Sequence, residues 1–155
     1  MRNLFVLLIS LTFIAVACKP SSRGVLQPET VETLPENIIE QYWILIELNG
    51  EPLAFEDSTK RRPFIILKKE DSRLNAHGGC NTITGTYEID YAANRIKFSQ
   101  MASTMIACLN MEIEDGLKRA LEMTDNYALS DDGKYLSLNR ARMAPLALFE
   151  IVYLR

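Results

Sequence analysis

HGGCNTITG, residues His77 to Gly85, is the stretch on which the reading of this chain turns. It sets the single histidine beside two glycines, a cysteine and an asparagine, inside a run that is otherwise rich in β-branched residues. Three chemistries compete for such a pattern. A Cys80–His77 nucleophile pair needs the imidazole within hydrogen-bond reach of the thiol and a third group to orient it. The spacing permits contact, but no oxyanion-hole or orienting motif accompanies it, and no G-x-S-x-G offers a serine alternative. A metal site could draw on His77, Cys80 and Cys108, yet the closely spaced ligand pairs of a structural zinc site are missing. The third reading, a tight corner, accounts for more of the residues. Gly78 and Gly79 permit positive φ and turn the strand, Asn81 bonds its own backbone or takes the left-handed region, and Cys80 is pinned at the corner. His77 is then a solvent-touching residue at a strand end, and neither a metal nor a cofactor is expected.

Outward from the corner the period is that of strands. Arg73–His77 precedes it and Thr82–Ile89 follows, with Gly85 marking a bulge or a close backbone approach. Upstream, Tyr42–Leu48 runs into Asn49-Gly50, a strong hairpin signal, with a short return at Glu51–Leu53. Pro63 opens the continuous apolar run Phe64–Leu67, and Lys68-Lys69-Glu70-Asp71-Ser72 reads as a solvated turn. Trp43 reads as a core aromatic. Downstream, Arg95–Phe98 alternates as a half-buried strand should. From Asn110 the period becomes helical: Ile113, Leu117, Ala120, Leu121 and Thr124 share a face. Asn110 is the expected N-cap, and Glu112, Glu114 and Asp115 occupy the first turn, where the helix dipole favours negative charge. Gly116 inside this helix implies another backbone packed closely against it. Tyr127–Ser130, Tyr135–Leu138 and Leu146–Tyr153 complete the set. The expected fold is α+β: about eight short strands in a curved, mostly antiparallel sheet, an incomplete barrel, packed with one main helix, since such short connections exclude parallel crossovers.

The start of the chain has a different character. After Met1-Arg2-Asn3, Leu4–Ala17 is apolar apart from Ser10 and Thr12, shorter than the roughly 20 residues of a membrane span, and so reads as a signal peptide over residues 1–17. Its end, Ala15-Val16-Ala17-Cys18, resembles the lipobox of bacterial lipoproteins, which implies acylation at Cys18 and a membrane held through that lipid. Residues 18–38 are rich in proline, serine, threonine and glutamate and read as a flexible tether to a domain at 39–155. With Cys18 removed from the three cysteines, Cys80 and Cys108 remain in an export context where thiols are oxidised, so one disulfide is expected, two buried free thiols being the alternative. The 155 residues carry 48% hydrophobic and 24% charged side chains and a net charge of −3. That is one globular domain with a mildly acidic balance, which excludes nucleic acid as a partner.

Trp43-Ile44-Leu45 with Asn49-Gly50, Arg62-Pro63-Phe64, Gly79-Cys80-Asn81, Thr84-Gly85-x-Tyr87, and Thr104-Met105-x-Ala107-Cys108 ahead of Glu112 together resemble the META domain, also called HslJ-like, over about residues 41–153. Ile106 fills the variable slot before Ala107, and His77-Gly78 stands where other members vary. The resemblance implies a curved antiparallel sheet like an incomplete barrel with a packed helix, commonly in envelope lipoproteins. It implies a link to heat shock without an assigned catalytic activity, and a fold similar to that of the lipoprotein pilots of secretin channels.

The resulting expectation is a non-catalytic bacterial envelope lipoprotein that binds a partner protein or an apolar ligand, in an envelope or heat stress response. It is placed at the outer membrane facing the periplasm, because Lys19 rather than aspartate follows Cys18. An inhibitor of a periplasmic hydrolase and a Cys80/His77-dependent enzyme are the alternatives. Met101, Met105, Met111, Met123 and Met143 are the apolar candidates for a binding surface, against ordinary core filling. Lys60-Arg61-Arg62 is a loop facing water or phospholipid headgroups.

Overall fold

The computed structural model describes residues 38–55, 61–109, 111–141 and 144–153. The expectations for the signal peptide, Cys18, nearly all of the tether, Lys60, Asn110 and Met143 lie outside the described residues. Contacts divide the chain into Met1–Glu32 and Thr33–Arg155, and every described residue belongs to the second unit.

Among the described residues nine strands and one α-helix follow one another as β1 (Tyr42–Leu48), β2 (Glu51–Pro52), β3 (Phe64–Lys68), β4 (Arg73–His77), β5 (Thr82–Asp90), β6 (Arg95–Ser103), α1 (Glu112–Met123), β7 (Asn126–Leu129), β8 (Tyr135–Asn139) and β9 (Ala147–Val152). All nine strands belong to one sheet, eight of them in the order β6-β5-β4-β3-β1-β9-β8-β7 and β2 off that path, paired to β1 alone. Every pairing is antiparallel. The two edges then meet. Tyr127 donates its backbone N–H to the Asn94 carbonyl at 3.0 Å and Ile96 donates to Asp125 at 3.4 Å, so Arg95 of β6 faces Asn126 of β7 and the sheet is a nearly closed barrel.

Alternation along the strands sends one set of side chains inward. Trp43 and Leu45 of β1, Ile65 and Leu67 of β3, Leu74 and Ala76 of β4, and Phe149 and Ile151 of β9 make the core with Leu136 and Leu138 of β8. Trp43 is fully buried, and its indole N–H donates to the Ile38 carbonyl at 3.0 Å. Helix α1 adds Leu117, Ala120 and Leu121, the stripe its period dictates. Gly116 is where the helix meets β1: a Cβ there would lie 2.5 Å from Leu48 Cδ2, so the close neighbour is a side chain and not the backbone the sequence implied. Met111 occupies the N-cap position with no capping side-chain bond.

β6 runs five residues beyond the expected Arg95–Phe98. Ser99–Ser103 has no apolar alternation; it is held as strand by β5, across a bulge where the register slips between Thr84 and Thr86. Gly85 sits at that slip, with the Ser99 carbonyl 2.9 Å from where a Cβ would be. Gln100, on the opposite strand, takes φ 50°. The β3–β4 connection is a single 3-10 turn, Glu70–Ser72, with Asp71 left-handed at φ 52°.

Candidate functional site

The corner between β4 and β5 is built from the two glycines, and each serves differently. Gly79 has φ +106°, a conformation that side chains rarely tolerate. Gly78 does not; it is glycine because the helix lies on top of it. A Cβ at residue 78 would stand 2.3 Å from Cγ of Glu114 and 3.0 Å from its Cα. The corner is closed by Gly78 N–H donating to the Asn81 carbonyl at 3.0 Å.

Asn81 does not bond its own backbone or adopt a left-handed conformation, as the sequence suggested. It is buried, and its side chain reaches two other elements. Its Oδ1 accepts from the Thr104 hydroxyl at 2.8 Å and from the Ile106 N–H at 2.7 Å. Its Nδ2 donates to the Ile106 carbonyl and to Glu114 Oε1, both at 3.0 Å. The Asn81 backbone N–H donates to Glu114 Oε2 at 2.6 Å.

Glu114, from the first turn of α1, is therefore the centre of the corner. It is only 1% exposed, and it also accepts from Lys118 Nζ at 2.7 Å, one helical turn on. Burial pushes its carboxyl upward, but the Lys118 ammonium and the two Asn81 donors outweigh that and hold it below the ordinary carboxylate value. A buried charge so surrounded is a clamp between helix and sheet.

Cys80 and Cys108 are bridged, with an S–S distance of 1.90 Å and a Cα–Cα distance of 6.3 Å. The bridge fastens the β6–α1 connection to the corner. His77, the last residue of β4, is buried at 8% exposure rather than touching solvent as the sequence implied. Its ring stacks on Phe64 at 5.9 Å, Phe64 stacks on Tyr42 at 4.5 Å, and Arg61 lies over Phe64 at 4.7 Å. Its Nδ1 accepts the Gly79 N–H at 3.0 Å. Burial first, and then the nearby Arg61 charge, lower its pKa, with Glu114 opposing, so the imidazole is neutral at neutral pH. The sulfur of Cys80 is thus spent on a bridge and the histidine's free nitrogen on a backbone amide. Among the described residues no three His, Cys, Asp or Glu side chains are grouped to hold a metal ion.

The methionines divide. Met105 is 97% exposed, Met123 is partly exposed, Met101 packs against the core and Met111 is half-buried. Ile106 and Leu109, which were not among the expected surface candidates, are exposed beside Met105.

The sequence profile described as the META domain matches residues 36–153. No curated protein matches the chain. Among solved structures, an NMR structure of a protein from Burkholderia xenovorans is similar at TM-score 0.59 and 17% identity, covering 88% of this chain and 99% of that one, which speaks for the fold alone. A crystal structure of a DUF4847 family protein from Bacteroides vulgatus is similar at TM-score 0.47 and 15% identity, covering 74% of this chain and 92% of that one.

Proposed function

We propose, from the premise that this chain belongs to the META domain family, that it is a non-catalytic lipoprotein of the bacterial envelope. On this reading residues 1–17 are its signal peptide, Cys18 carries the lipid, and the domain binds a partner protein at the outer membrane, in an envelope or heat stress response.

The observation that carries the reading is how the corner is used. The residues that would serve catalysis are committed to structure: Cys80 to Cys108, His77 Nδ1 to the Gly79 amide, and Glu114 to Asn81 and Lys118. An apolar ligand is disfavoured by the interior, where side chains from strands and helix fill the barrel. Among the described residues, hollows on the surface have mostly charged and polar linings. One of about 270 Å³ is lined by Glu88, Asp90, Arg95 and Lys97 together with Ile89 and Ile96, and one of about 430 Å³ by Glu40, Lys68, Glu70, Arg73 and Asn75. Carriers of apolar molecules have an apolar, concave site.

Labelling cells with a clickable fatty acid tests the anchor. The wild-type chain should take up label and sediment with membranes, and Cys18→Ala should do neither; equal labelling of both proteins would sink the lipoprotein reading.

A further inference from the structure

Imidazole is the side chain whose ordinary pKa puts its charge change near neutral pH, and this chain has one histidine, His77. It ends β4 at the corner, paired with Phe64 of β3 and with Thr82 of β5. Only a neutral ring fits its surroundings. Nδ1 accepts the Gly79 N–H at 3.0 Å, so that nitrogen carries no proton. An imidazolium has N–H on both nitrogens, and flipping the ring sets a carbon against the amide instead. Either way the Gly79 N–H loses its acceptor. Turning the ring aside would break its stack on Phe64, where the two planes lie 4° apart.

The charges around the ring oppose its protonation on balance. Arg61 lies over Phe64 at 4.7 Å, and its guanidinium repels an imidazolium. Glu114 of α1 attracts one, but its oxygens already accept from the Asn81 N–H, Asn81 Nδ2 and Lys118, and among the described residues it forms no ion pair with His77. Thr82 does not titrate, Cys80 is bridged, and Tyr42 bears on the ring through Phe64, on which it stacks. Burial first and then Arg61 hold the His77 pKa below the ordinary value near 6.5. The grip on Gly79 is therefore complete above that value and is lost as pH falls through the lower, folded-state one. Glu114 acts in a separate range, which begins below about 4.3.

What hangs on Gly79 is the rest of the corner. Gly78 before it closes the turn by donating to the Asn81 carbonyl, and Cys80 after it is bridged to Cys108. The Asn81 side chain in turn holds both backbone groups of Ile106. The ladder of β4 and β5 from Arg73 to Ala76 does not draw on that amide.

We infer that His77 is an acid-operated latch: its protonation unfastens Gly79 and slackens the grip of Asn81 on Ile106, and with it the exposed segment 105–109, while the barrel stays folded. The latch belongs to the corner and is the same whatever the domain binds.

The full chain, isotope-labelled, kept in detergent and carrying no histidine tag, is titrated from about pH 8 to about pH 5 across the imidazole range. With one histidine in the sequence, the Cε1–H resonance reports His77 alone. The Gly79 amide proton should move upfield, and the exchange protection of the Ile106 amide, taken against an unstructured peptide at each pH, should fall several-fold. Both changes should share the midpoint of the imidazole resonance, and that midpoint should lie below about 6.5. His77→Asn keeps an uncharged acceptor near the Nδ1 position and should abolish both responses. His77→Phe keeps the stack without the acceptor and should show the lower Ile106 protection already at the alkaline end. Trp43 is fully buried, so its emission should stay constant across the range. A Gly79 resonance or Ile106 protection indifferent to the imidazole, a midpoint at or above about 6.5, or an unchanged response in His77→Asn overturns the latch. A Trp43 shift with the same midpoint overturns it as well, because the whole domain then opens. If either variant fails to fold, the wild-type titration decides alone.

Discussion

Gly78 and Glu114 show how much one missing Cβ can decide. The 2.3 Å approach leaves no room for a methyl group, and the atoms it would strike include the helix backbone. Gly78→Ala should therefore lower stability by about 2 to 3 kcal/mol, the upper range for overpacking; chemical denaturation showing a change under about 0.5 kcal/mol would contradict the packing described. The Glu114 carboxyl is held below the ordinary value near 4.3, so its contribution is complete above that pH and is lost as pH falls through the lower, folded-state value. Glu114→Gln should be less stable than wild type at pH 7, and the gap should close on acidification through that window. A gap that stays constant to low pH would mean the charge is not what clamps the helix. At this scale the sequence was half legible. Gly79, Cys80 and Cys108 could be read, because turn chemistry and cysteine arithmetic are local. Glu114 was read only as a complement to the helix dipole, since its true partner, Asn81, lies 33 residues away and a chain of letters does not show that distance closing.

Elements were readable where a period or a punctuating residue marked them. The Tyr42–Leu48 strand with its Asn-Gly turn and the α1 stripe of Leu117, Ala120 and Leu121 are cases of periodicity imposed by burial on one face. Ser99–Ser103 escaped notice because its strand character comes from β5 and not from its own residues. The β6–α1 connection is the element whose behaviour is most exposed to test. Its bridge closes a separation of 28 residues, so Cys80→Ser with Cys108→Ser should cost about 3 to 4 kcal/mol by loop-closure entropy. The helix should survive, because Asn81 and Glu114 still hold it. Loss of helical circular dichroism at 25 °C in the double variant would show that the clamp depends on the bridge.

For the domain as a whole, closure is lopsided. Seven strand-to-strand seams run along the path from β6 to β7, but β6 and β7 meet through two backbone bonds only, one of them 3.4 Å long. Seams with few bonds open first. In hydrogen exchange the amides of Ile96 and Tyr127 should lose protection earlier than those of Leu45 or Phe149; equal protection would mean the barrel opens elsewhere. A curved antiparallel sheet with one helix could be read from the order of turns and strands, whereas the edge-to-edge contact could not, because neither Arg95 nor Asn126 carries a signal for it. The seam of β1 against β9 joins Tyr42 to Val152, nearly the first and last residues of the domain. β9 is also the link between β1 and the β8–β7 hairpin, so the barrel cannot close until residues 147–152, near the far end of the domain, have taken their place.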